Sequence, residues 1–198
     1  EERPRLEPGH PGAQLQHREG GHVEDDAPAD HRRHRRHQRR HQVGYRGTIR
    51  RIQEQSQANR PLELDPVIRS ELGHHPDITI HYAGTTASVC ANSLLSEVFR
   101  NLIGNSAKFG GPGARVWIRV EDGGEQVTVS VEDSGPGIPD EVQARLFEPF
   151  FTTRPPGQGA GLGLHLARRI VDGLGGRIGF RTGAGGTTFT VALPPASP

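Results

Sequence analysis

From residue 61 onward the apolar positions fall into two rhythms, one of about 3.6 residues and one of 2. In the stretch EVFRNLIGNSAKFG, at about 100° per residue, Glu97, Asn101, Asn105 and Lys108 fall within an arc of about 80°. Leu95, Val98, Phe99, Leu102 and Ile103 spread over the opposite side. This pattern predicts an amphipathic helix with one packed face and one face of amides and charge. Asn92 or Ser93 is its N-cap, and Gly110, Gly111 and Pro112 are its stop. A solvated face would account for the polar stripe. Asparagine is a poor helix former, however, and two of them at i and i+4 in mid-helix suggest a local use.

The period of 2 predicts strands at Asp77–Tyr82, Ala114–Glu121, Glu125–Asp133, Gly176–Thr182 and Thr187–Pro194. The second and third are joined through Asp122, Gly123 and Gly124, a hairpin signal. Further helices are predicted at Asp65–Leu72, Asp140–Phe147 and Gly161–Leu174. Strands and helices in this order make an α/β two-layer sandwich, an antiparallel or mixed sheet with helices on one face.

The first 60 residues do not join this pattern. Between Glu1 and Thr48 the only large apolar residues are Leu6, Leu15, Val23, Val43 and Tyr45, too few to offset the entropy of ordering the segment. Residues 1–60 therefore read as a low-complexity, largely disordered tail and residues 61–198 as the domain. Charge divides the same way: 13 Lys+Arg against 9 Asp+Glu in residues 1–60, and 11 against 14 in the remainder. Neither balance points to nucleic acid. The run HRRHRRHQRRHQ places His31, His34, His37 and His41 at helical spacing among six arginines, which suits metal binding, phosphate binding or a biased solvated run. No run approaches 18 apolar residues and no signal-peptide pattern opens the chain, so no membrane segment is expected. The lone Cys90 excludes an internal disulfide framework and fits a reducing, cytoplasmic compartment.

Two places concentrate candidate chemistry. Asp133 continues the face of Val127, Val129 and Val131, so the pleat turns its carboxylate toward the buried side. A buried carboxylate needs a partner. Gly135 and Gly137 follow in DSGPGIPD, serving either a turn or the close approach of a ligand. Farther on, the glycine-rich loop from Gly157 to Gly163 opens directly into a helix, as a hinge or as an anion site built from backbone N–H groups. It lacks the P-loop lysine pattern and does not follow a strand in a βαβ unit.

Taken in order, NLIGNSAKF, DSGPGIP, LFEPFFTT and GAGLGLHLARRIV resemble the N, G1, F and G2 boxes of the histidine-kinase ATP-binding domain, and GGTTFTVALP resembles its last strand. The resemblance spans roughly residues 61–195. It implies the Bergerat fold of the superfamily shared with gyrase, the Hsp90 chaperones and MutL, with ATP and Mg²⁺ as cofactors. On that resemblance Asn105 ligates Mg²⁺ and Asn101 stands where ATPase members carry a glutamate base. Lys108 faces the phosphates, Phe109 lies over the adenine where tyrosine is usual, and Glu97 orients the metal shell. Asp133 accepts from the adenine amine, and Gly135 and Gly137 let base and ribose settle on the backbone. Phe147 and Phe150 anchor a short lid over Thr152 to Ala160. Gly159, Gly161 and Gly163 bring amides to the phosphates, Leu162 and Leu164 re-enter the core, and Thr188 backs Asp133.

The implied partners are a histidine-bearing dimerisation domain, in cis or in trans, and a response regulator. A homodimer is compatible with the sequence. No histidine here has the H-[ED]-x-x-[TN]-P context of the phosphoacceptor, although residues 46–60 fit a remnant of a dimerisation helix. An anti-sigma-factor-type serine kinase and a non-catalytic nucleotide sensor use the same fold and stand as alternatives.

Overall fold

The computed structural model describes residues 58–111, 113–155 and 159–196. The expectations for the His/Arg run and for residues 46–57 lie outside them, as do those for Gly157 and for Pro112 at the end of the second helix. The order is β1 (Arg60–Glu63), α1 (Leu64–Leu72), β2 (Thr79–Tyr82), β3 (Ser88–Ala91), α2 (Leu95–Phe109), β4 (Arg115–Asp122), β5 (Val127–Asp133), α3 (Asp140–Gln143), α4 (Gly163–Gly173), β6 (Arg177–Gly183) and β7 (Gly186–Leu193).

Five strands form a sheet in the order β2-β4-β5-β7-β6, in which β2 runs parallel to β4 and every other pair is antiparallel. The choice left open between antiparallel and mixed is thus resolved as mixed. Val116 and Ile118 of β4, the three valines of β5, and Phe189, Val191 and Leu193 of β7 are all buried. They pack with Leu64 and Ile68 of α1, the apolar face of α2, and Ala167, Ile170 and Val171 of α4. The apolar arc of α2 is fully buried at Leu95, Val98, Phe99, Leu102 and Ile103. At ~1.5–3 kcal/mol per buried side chain this burial outweighs the poor helix propensity of its asparagines, at most ~0.7 kcal/mol each. Phe99→Ala would cost about 3–5 kcal/mol.

Local chemistry sets the ends of the elements. Asn92 Oδ1 accepts from the Leu94 N–H at 3.1 Å and so closes the turn leading into α2, but the N-cap is Leu94, with no side-chain cap, and not Asn92 or Ser93 as expected. Helix α4 ends in paired bonds, Gly176 N–H to Val171 O at 2.9 Å and Gly175 N–H to Asp172 O at 3.1 Å, with Gly175 at φ 75°.

Three further expectations are corrected. The helix over Asp140–Phe147 is only Asp140–Gln143. Beyond it the bonds run i to i+3, Arg145 N–H to Val142 O and Glu148 N–H to Arg145 O, and this tighter winding brings Leu146 and Phe147 against the core. The four-residue strands β1 and β3 pair antiparallel in a separate sheet that the pattern did not announce, being too short to show alternation. Helix α4 starts at Gly163 because Gly161, at φ 65°, is in the left-handed region.

Candidate functional site

Asp133 ends β5 opposite Val116 of β4 and Thr187 of β7, pointing inward among the helices. It is 7% exposed. Its Oδ1 accepts from the N–H groups of Gly135 at 3.0 Å and Thr187 at 3.2 Å, and its Oδ2 accepts from the Ser106 hydroxyl at 3.1 Å. The carboxylate therefore carries its own partners from the protein. Desolvating a carboxylate costs several kcal/mol, and three donors at about 1.5–3 kcal/mol each offset it. A carboxylate has about four lone-pair sites, so one remains on Oδ2.

Above Asp133 opens a cavity of about 370 Å³, a size that suits a nucleotide. Asn101, Asn105, Lys108 and Phe109 of α2 line it, with Asp133, Gly137, Gly159, Gly161, Leu162 and Gly163. The polar stripe of α2 thus faces a cleft, which answers the question its asparagines raised. Asn101 Nδ2 donates to the Glu97 carbonyl at 2.8 Å, turning the amide oxygen toward the start of α4. A Cβ at Gly163 would stand 2.7 Å from that oxygen, so any larger residue there would displace the Asn101 amide. Gly161 has the same character: a Cβ there would lie 2.6 Å from Phe150 C and Phe151 O. Gly137, at φ 80°, presses against the Gly183 carbonyl of the β6–β7 hairpin.

Other parts of the lining and its surroundings are more exposed. Phe109 is 47% exposed, with the Arg154 guanidinium 5.9 Å from its ring centroid. His165 Nδ1 lies 3.0 Å from the Phe147 carbonyl, tying α4 to the segment that follows α3. Phe147 packs near Phe180, and Phe150 is 37% exposed with φ 66°. The His75 ring packs against Gly104 of α2 near Lys108, and its Nε2 is buried with no hydrogen-bond partner among the described residues. Burial first, then the neighbouring His74 and Lys108, hold its pKa below the usual histidine value.

Three sequence-predicted residues stand elsewhere. Glu97 is outside the cavity lining: Arg100 Nη1 binds its carboxylate at 2.8 Å, while Arg100 Nε binds the buried Glu71 at 3.0 Å. That network holds α1 to α2, so Glu97 is captured as a strut. Gly135 is also outside the lining, packed where a Cβ would meet Asp133 Oδ1 and Gly110 Cα, both at 2.9 Å. Thr188 does not back Asp133. It pairs with Glu132 and Arg181 on the opposite face, and Thr187 occupies the inner position. Thr187 belongs to the face of Phe189, Val191 and Leu193, so strand parity would have selected it. Ser106 was also missed. At about 180° from Glu97 it is a polar residue in the middle of the apolar arc of α2, a visible signal of a buried partner.

A divalent ion is best served here by few protein ligands. Among the described residues no group of three or more His, Cys, Asp or Glu side chains could hold a metal. Asn105 offers one carbonyl oxygen to the cavity, which fits Mg²⁺, an ion that keeps its waters and takes phosphate oxygens. Among the described residues no helix is long and apolar enough to cross a membrane.

Residues 90–197 match the family model described as histidine kinase-, DNA gyrase B-, and HSP90-like ATPase. The sensor histidine kinase AruS of Pseudomonas aeruginosa is 44% identical over 110 residues, which are 50% of this chain and 11% of that protein. The sensory histidine kinase/phosphatase NtrB of Rhizobium meliloti is 36% identical over 134 residues, 59% of this chain and 35% of that one. The chain thus spans a minor part of these relatives. Among solved structures, the catalytic domain of histidine kinase ThkA superposes with a TM-score of 0.61 at 30% identity, covering 70% of this chain and 96% of that one. The mycobacterial sensor histidine kinase MprB gives 0.61 at 28% identity, over 71% and 99%. With its helices on one face of a mixed sheet and its cleft over Asp133 beside the N-box helix, the chain belongs to the histidine kinase-, gyrase B- and HSP90-like ATPase family and carries that family's ATP-binding domain.

Proposed function

We propose that this chain is the catalytic portion of a cytoplasmic sensor histidine kinase. It passes the γ-phosphoryl group of ATP to a histidine on a helical dimerisation segment, supplied in cis by a longer parent or in trans, for relay to a response regulator. The observation that carries the reading is one cavity with a hydrogen-bonded acceptor, Asp133, at its buried end and Lys108, Asn105 and the start of α4 along its open side.

In this reading Asp133 takes the exocyclic amine of adenine, and Phe109 covers the ring. Backbone N–H groups at Gly161, Leu162 and Gly163 face the phosphates, where the dipole of α4 favours negative charge. Lys108 adds a positive charge on the same side. Magnesium, held by Asn105 and phosphate oxygens, would neutralise charge on the transferring group. Asn101 stands beside the start of α4 as a neutral amide. It cannot take a proton from water, so hydrolysis is slow and the phosphoryl group is kept for an in-line acceptor.

The test is incubation of the full chain with γ-labelled ATP and Mg²⁺, alone and with a helical protein bearing an H-box histidine. The expected result is acid-labile, alkali-stable label on the added protein and none on the chain alone. Labelling of His31, His34, His37 or His41 would make the basic run the acceptor and overturn the trans assignment.

A further inference from the structure

Ser106 is 1% exposed, lies outside the cavity lining, and gives its hydroxyl to Asp133 Oδ2. A serine in the middle of an apolar helix face has a cost: a hydroxyl taken from water without a partner loses about 1–3 kcal/mol. Alanine there would pack as well and is the better helix former. The hydroxyl therefore answers to something specific, and among the described residues its partner is the Asp133 carboxylate.

We propose that Ser106 is a positioning residue that sets the preference of this site for 6-aminopurine over 6-oxopurine nucleotides, acting through Asp133. The proposal rests on the nucleotide reading above. An ionised carboxylate only accepts hydrogen bonds, so the Ser106 proton must point at Oδ2. The two N–H groups of Gly135 and Thr187 hold Oδ1 from the backbone, and Ser106 holds Oδ2 from α2. Held at both oxygens, the carboxylate cannot turn. It presents one lone-pair site to the cavity, and that site accepts an N–H.

An amine at position 6 of the purine fills the site. A carbonyl oxygen there meets an acceptor fixed in place and leaves it unpaired, the kind of mismatch by which a hydrogen-bonding site rejects an analogue most strongly. Removing the hydroxyl frees Oδ2. The carboxylate then pivots about its two backbone bonds, or a water enters beside it and donates to the 6-oxo group. Affinity for the amine falls while affinity for the carbonyl does not.

The experiment is titration calorimetry of the full chain with Mg-ATP and Mg-ITP, which differ in carrying an amino or an oxo group at position 6 and, with it, an acceptor or an N–H at N1. The parent chain should prefer ATP. Ser106→Ala should lower the ATP/ITP affinity ratio about tenfold, with thermal melting within a few degrees of the parent. Ser106→Cys, which fills the same space with a weaker donor, should give an intermediate ratio and decides the matter if the alanine variant fails to fold. Equal losses for both nucleotides, or an unchanged ratio in either folded variant, would overturn the role of Ser106. A parent chain that binds both nucleotides equally overturns this inference and leaves the ATP reading standing. A parent that binds neither overturns both.

Discussion

The two ends of the cavity are built by different means. At the base end every polar group is fixed: Asp133 is buried, three donors hold it, and they come from β5's own turn, from β7 and from α2. At the end proposed for the phosphates the groups are exposed or backbone: Lys108 at the last turn of α2 and the N–H groups opening α4. On the proposed reading, selectivity for the base would rest on pre-organised hydrogen bonds, where a misfit leaves a buried group unpaired. Phosphate binding would rest on charge and close backbone approach, where loss of one contributor costs less.

The sharpest way to break the contrast is Asp133→Asn. It replaces an acceptor-only group by one with two donors in a buried site, so Mg-ATP affinity should fall at least about thirtyfold, or ~2 kcal/mol. Calorimetry showing affinity within twofold of the parent would mean that the base end does not read adenine.

Gly161→Ala should come next. Its Cβ would lie 2.6 Å from Phe150 C and Phe151 O at φ 65°, so the turn ahead of α4 must move. We expect about 1–3 kcal/mol of stability to be lost, with ATP affinity falling together with it. Melting curves and a titration on one preparation separate this from a core defect, which would leave the turn geometry and the affinity of the folded fraction intact.

Asn105→Ala tests the open end alone. Binding of Mg-ATP should weaken by about fivefold to tenfold, while ATP in the presence of EDTA binds as before, because in the proposed reading the side chain would hold the ion and not the base. Equal losses in both conditions would assign Asn105 a structural role.

The smallest effect concerns pH beside α2. His75 has its pKa lowered by burial and by His74 and Lys108, with Glu71 opposing. The unfolded chain therefore binds the proton more readily. The contribution of His75 is fully present above its ordinary value of 6.5 and is lost as pH falls through 6.5 toward the lower folded value. Thermal melts between pH 8 and pH 5 should show a steeper decline for the parent than for His75→Gln. Parallel curves would show that the ring takes up its proton without strain.

What could be read from the chain follows from which interactions are local. The 3.6-residue rhythm of α2 announced both its buried arc and its polar stripe, and the alternation of β5 placed Asp133 inside before any contact was known. Both depend on backbone geometry that repeats whatever packs against it. Glu97 was drawn to the site because it shares the stripe, yet the stripe is longer than the cavity, and Arg100, bridging to Glu71 of α1, claims its first turn. Nothing along α2 alone reveals a partner 29 residues away.

By itself the sequence determined the sandwich, the order of its boxes and the side from which Asp133 and the asparagines act, since periodicity and turn chemistry are properties of consecutive residues. Only the tertiary structure decided that Thr187 and not Thr188 stands beside Asp133, that Gly135 packs on Gly110, and that Ser106 reaches the carboxylate from α2. These are pairings between segments distant along the chain. Each is fixed by strand register and helix packing, which place side chains to within an ångström where the one-dimensional pattern gives only a face.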